Sequence, residues 1–79
     1  SPNPFNSMCT ISFMLRESNE VTLILYNIKG ELVAQKKLGL LYEGNHEISW
    51  SPDNFPSGTY FMKTQTPSNS EYSKILYLK

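Results

Sequence analysis

Apolar residues recur at every second position of this chain, and that period restricts its fold more than any other feature. In Thr10-Ile11-Ser12-Phe13-Met14-Leu15, the residues Ile11, Phe13 and Leu15 share one parity. Val21, Leu23 and Leu25 do the same, as do His46, Ile48 and Trp50. Side chains alternate faces along an extended strand, so each run presents one face to a core and one to solvent. Val, Ile, Thr, Tyr and Phe crowd these runs, which suits a pleated surface and argues against helix. Ile24 interrupts the pattern; the expectation is a contact with a neighbouring domain or a singly exposed apolar side chain.

Turn signals divide the chain into strands over 10–15, 21–26, 31–38, 46–50, 59–64 and 72–78. Glu17-Ser18-Asn19-Glu20 reads as a polar turn. Asn27-Ile28-Lys29-Gly30 is a second, with Gly30 free to take a positive φ. Gly39 and Gly44 bound an expected loop that holds Leu40, Leu41 and Tyr42. Residues 51–57 and 67–70, rich in Pro, Ser, Asp and Asn, complete the set. Six or seven short strands with turns at intervals of roughly 8–12 residues predict an all-β, antiparallel β-sandwich. A chain of 79 residues fits one small domain.

The opening "SPNPFN" suits no central strand. Pro2 and Pro4 lack backbone donors and fix φ near about −65°. Asn3, preceding Pro4, is held extended. Residues 1–8 therefore read as a stiff lead-in, with Phe5 dropping onto the edge of the core. Such a segment is expected where a domain joins something upstream, and the chain reads as a piece of a longer protein.

Composition excludes several function classes. Seven basic side chains balance seven acidic ones and lie scattered, which leaves no footprint for nucleic acid or an anionic membrane. Lys36-Lys37 is the one adjacent like-charged pair and reads as a solvated strand face. No apolar run approaches the roughly 18 residues of a membrane-spanning helix. Cys9, the one cysteine, allows no internal disulfide and reads as packed rather than nucleophilic. His46, the one histidine, has no metal spacing to other ligands and reads as a strand residue near Trp50. A Ser-His-Asp set from Ser49 or Ser57, His46 and Asp53 lacks the glycines of a nucleophile elbow. Asp53 and Asn54 are a weak calcium pair. The residues imply no catalytic group, no metal site and no cofactor.

Among the aromatic residues, Trp50 reads as core, in phase with Ile48. Tyr60, two residues after Gly58, suits a tyrosine-corner-like role, with a buried ring and a hydroxyl bonded to backbone. A sugar-stacking platform drawn from Trp50, Tyr42, Tyr26, Tyr60, Phe61, Tyr72 and Tyr77 is the weaker alternative.

Six segments fall in an order that resembles a known family: P-N-P-F-N, T-I-S-F, V-T-L-x-L-Y-N-I-x-G-E-L-V, H-E-I-S-W, S-G-T-Y-F-M-K and K-I-L-Y-L-K. Together they resemble the type A C-terminal sorting domain of the type IX (Por) secretion system of Bacteroidetes, over essentially all of residues 1–79. The resemblance implies an immunoglobulin-like β-sandwich of about seven strands. It implies a domain that guides an upstream cargo from the periplasm through an outer-membrane translocon to the cell surface or the medium. A sortase-like enzyme of the family commonly removes the domain and joins the cargo to an anionic lipopolysaccharide. The implied partners are thus the translocon, the sortase-like machinery and the cargo in the same chain.

By the same resemblance, Pro2, Asn3, Pro4, Phe5 and Asn6 match the lead-in motif. Gly30 and Val33 match a G-x-x-V turn and strand, Gly58 and Tyr60 a late G-x-Y, and Lys74 and Lys79 the basic residues of the last strand. Ile24 and Ser1 depart from the pattern, where a basic or polar residue and a tyrosine are usual. The competing reading is a non-catalytic spacer or carbohydrate-binding module attached to a secreted hydrolase. On the sorting reading, the segment Lys74 to Lys79 is the expected handle, because a sheet edge offers unpaired backbone groups.

Overall fold

A computed structural model describes residues 9–50 and 55–77, with Cys9 described by its backbone alone. Six strands follow one another: β1 (Cys9–Leu15), β2 (Asn19–Tyr26), β3 (Leu32–Leu41), β4 (Gly44–Trp50), β5 (Gly58–Gln65) and β6 (Ser70–Tyr77). They form two antiparallel sheets, β1-β4 and β3-β2-β5-β6, and no helix occurs among the described residues. The period-two reading therefore gives the right class, a small β-sandwich.

The expected inward rows meet in one core. Ile11, Leu23, Leu25, Tyr60, Met62 and Tyr77 form its buried centre. Phe13, Ile48, Trp50, Phe55 and Ile75 pack against it, half-buried. In the smaller sheet the register runs unbroken from Cys9↔Trp50 to Leu15↔Gly44. Ile11 thereby stands opposite Ile48, and Phe13 opposite His46. The larger sheet places β2 at its middle, between β3 and β5. Leu23 accordingly has strands on both sides and no solvent exposure (0%).

Three local expectations are corrected. The segment read as a loop from Gly39 is instead strand as far as Leu41. Two register shifts explain why it did not read as one. Val21 pairs with Gly39 and Thr22 with Lys37, which leaves Leu38 as an extra residue. Leu25 pairs with Ala34 and Tyr26 with Leu32, which leaves Val33 extra. Each bulge resets the alternation, so Val33, Ala34 and Leu38 all pack against the core despite mixed parity. Gly39, at φ 77, supplies a left-handed backbone beside the first bulge.

Ile24 is the second correction. It faces away from the sandwich core, yet it is only 7% exposed. It stands between Gln35 on β3 and Lys63 on β5. The aliphatic stems of such neighbours cover a central-strand residue without any second domain. The third correction is at the ends of strands. β2 starts at Asn19 and β6 at Ser70, each earlier than its apolar run suggests.

Candidate functional site

The residues matched to the sorting motif separate into those that build the fold and those that face outward. Tyr60 is buried, and its hydroxyl donates to the Pro56 carbonyl oxygen at 2.6 Å. This is the expected tyrosine-corner-like bond. Its ring meets Tyr77 edge-on at 5.9 Å, and Phe55 lies 6.1 Å away. Gly58 opens β5 opposite Tyr77. Val33 is the extra residue of a bulge and packs on the core.

Gly30 closes the β2–β3 turn at φ 84. Asn27 organises that turn. Its Oδ1 accepts from the Lys29 and Glu31 amides at 2.9 and 3.0 Å, and its Nδ2 donates to Glu31 Oε1 at 2.7 Å. The Gly30 amide donates to the Asn27 carbonyl oxygen at 3.0 Å.

Lys74 alone of the described motif residues is an exposed charged side chain. It lies on β6, which forms one edge of the larger sheet and pairs with β5 alone among the described residues. The other edge, β3, is interrupted by its two bulges. By contrast β6 runs in unbroken register from Gln65↔Ser70 to Gly58↔Tyr77. Natural sheets blunt exposed edges with bulges, and this one blunts one edge and leaves the other straight. Pro2, Asn3, Pro4, Phe5, Asn6 and Lys79 lie outside the described residues, as do Asp53 and Asn54.

Sheet order gathers a second group that the sequence keeps apart. Tyr26, Phe61 and Tyr72 share the outer face of the larger sheet and, with Asn27, Ile28 and Gly30, line a shallow open groove. The Lys63 ammonium rides between two of the rings, 5.7 Å from the centre of Tyr26 and 5.9 Å from that of Tyr72. The Tyr26 hydroxyl beside it, and to a lesser degree Tyr72, hold its pKa above the ordinary lysine value. Each residue has the outward parity of its strand. Only the strand order β2-β5-β6 makes them neighbours, so no single stretch of sequence signals the group.

The remaining chemical candidates are structural. His46 stacks on Phe13 at 5.5 Å, and its Nε2 lies 2.6 Å from the Tyr42 carbonyl oxygen. A carbonyl can only accept, so Nε2 carries the proton and the ring pins the β3–β4 crossover. The aromatic residues do not form one platform. Tyr60, Tyr77 and Trp50 belong to the core, Tyr26, Phe61 and Tyr72 to the outer face, and Tyr42 stands exposed elsewhere. Among the described residues no group of three metal-binding side chains occurs, and no helix is long and apolar enough to cross a membrane.

Comparison with known proteins gives one match. A family model described as "Secretion system C-terminal sorting domain" aligns with residues 2–78. No curated protein and no solved structure matches the chain.

Proposed function

The chain belongs to the family of type IX secretion C-terminal sorting domains, and we propose that its closing strand β6 is the part the export machinery engages. As a sorting signal the domain directs its attached cargo across the outer membrane, to the cell surface or the medium. The family acts as an address rather than a catalyst. Its general partners are the type IX machinery and the cargo upstream; the translocon and the sortase-like enzyme are the specific partners we propose. Residues 1–79 then form one sorting domain, and residues 1–8 serve as the lead-in from the cargo.

One observation carries the proposal for β6. Among the described residues it is the straight edge of the larger sheet, paired with β5 without a register shift. A signal shared by many cargoes needs a handle that does not depend on cargo sequence. Unpaired backbone donors and acceptors on an edge strand provide one. The motif residues Val33, Gly58 and Tyr60 act one step back, by holding β3 and β5 in place.

Deleting residues 74–79 tests this. The truncated domain should leave a fused reporter in the periplasm. Because Tyr77 is part of the core, a Tyr77→Ala companion removes that packing and keeps the strand. Wherever the companion is folded, it should still be exported. Undiminished export of the truncated chain contradicts the proposal.

A further inference from the structure

The outer face of the larger sheet carries an excess of positive charge in a chain that has none overall. Its cross-strand rows read Leu32–Tyr26–Phe61–Lys74, Gln35–Ile24–Lys63–Tyr72 and Lys37–Thr22–Gln65–Ser70. Three lysines stand in these rows, and the same face carries one acidic residue, Glu20, opposite Leu40 at the start of β2, although the chain carries seven of each sign. At the open edge the outward side chains of β6 alternate Tyr72, Lys74 and Leu76. Tyr72 is 64% and Leu76 68% exposed, and Lys74 between them is exposed too.

An aromatic, a cation and an aliphatic side chain at a spacing of two is a pattern that another extended chain can complement. A strand added to β6 would lay every second side chain beside these three. We propose that β6 receives an extended acidic segment of a partner protein as an added strand, with apolar side chains against Tyr72 and Leu76 and an acidic one against Lys74. This rests on the reading of β6 as the engaged edge and states the chemistry of its partner. Lys63, on the neighbouring strand β5, extends the positive field inward from the edge and steers the segment to it. The two tyrosine rings beside Lys63 fix its position. A protein strand is favoured over a lipid surface or a polysaccharide because the pattern sits on an edge, where backbone pairing sets register.

The probe is an acetylated Thr-Val-Thr-Glu-Thr-Val-Thr peptide titrated into the isotopically labelled chain. Saturable amide shifts should concentrate on residues 70–76. Lys74→Glu should weaken binding roughly fivefold and Lys74→Arg should leave it unchanged. The same peptide with lysine in place of glutamate should prefer the Lys74→Glu variant. Absence of shifts on β6, or equal binding of both peptides to both variants, overturns the inference. So does binding of phosphatidylglycerol vesicles through this face where the acidic peptide fails. In cells, a folded Lys74→Glu domain exported as well as the parent also overturns it, and leaves the sorting role intact. Failure of the parent domain itself to export a reporter would instead remove the premise.

Discussion

Tyr60 and Leu23 show how single residues hold the larger sheet together. The Tyr60 hydroxyl bond to Pro56 ties the segment before β5 to the strand itself. Tyr60→Phe keeps the ring and removes the bond, so it should lower stability by about 1 kcal/mol. A reduced denaturant midpoint with unchanged slope is the expected result. Leu23 is fully enclosed between strands. Leu23→Ala should cost about 2–5 kcal/mol through lost transfer energy and the cavity left behind. For so small a domain that is a large share of the total, and loss of the cooperative unfolding transition at 37 °C is expected. Lys63 gives a pH signature. Its folded pKa is raised from 10.5, first by Tyr26. The contribution to stability is therefore full below that value and is lost as pH rises through the folded value. A titration of the Lys63 Nζ resonance should show the upward shift, and Tyr26→Phe should reduce it.

At the scale of the element, the turn between β2 and β3 and the two free edges matter most. Asn27→Ala removes three side-chain hydrogen bonds from the turn and should cost about 1–2 kcal/mol. Gly30→Ala meets no neighbouring atom within 4 Å. Its cost is purely that of the left-handed backbone at φ 84, again about 1–2 kcal/mol. Chemical denaturation of both variants checks the pair, and a Gly30→Ala variant as stable as the parent would contradict the turn assignment. The legibility of the sequence follows the same lines. β1 and β4 are readable because each keeps one parity, and β2 is readable from Val21 on by Val21, Leu23 and Leu25. β3 is readable only as far as Leu38, because bulges at Val33 and Leu38 reverse the parity twice and the strand runs on to Leu41. Ile24 reads as exposed or as touching a neighbouring domain because parity reports which face a residue occupies. Whether side chains on Gln35 and Lys63 cover that face depends on strand order.

For the whole molecule, two antiparallel sheets enclose one core and leave β6 at an edge of the larger sheet among the described residues. Four of the five motif residues among the described residues are architectural: Gly30 turns the chain, Val33 fills a bulge, and Gly58 and Tyr60 set the start of β5. The cationic aromatic face was not legible, since Tyr26, Lys63 and Tyr72 become neighbours only when β2, β5 and β6 align. The role assigned to the domain is tested most directly by fusing residues 1–79 to a periplasmic reporter in a host with a working type IX system and fractionating the cells. The reporter should reach the surface or the medium, and should remain in the periplasm when the translocon is removed. A folded fusion that stays in the periplasm of the intact host would contradict the account.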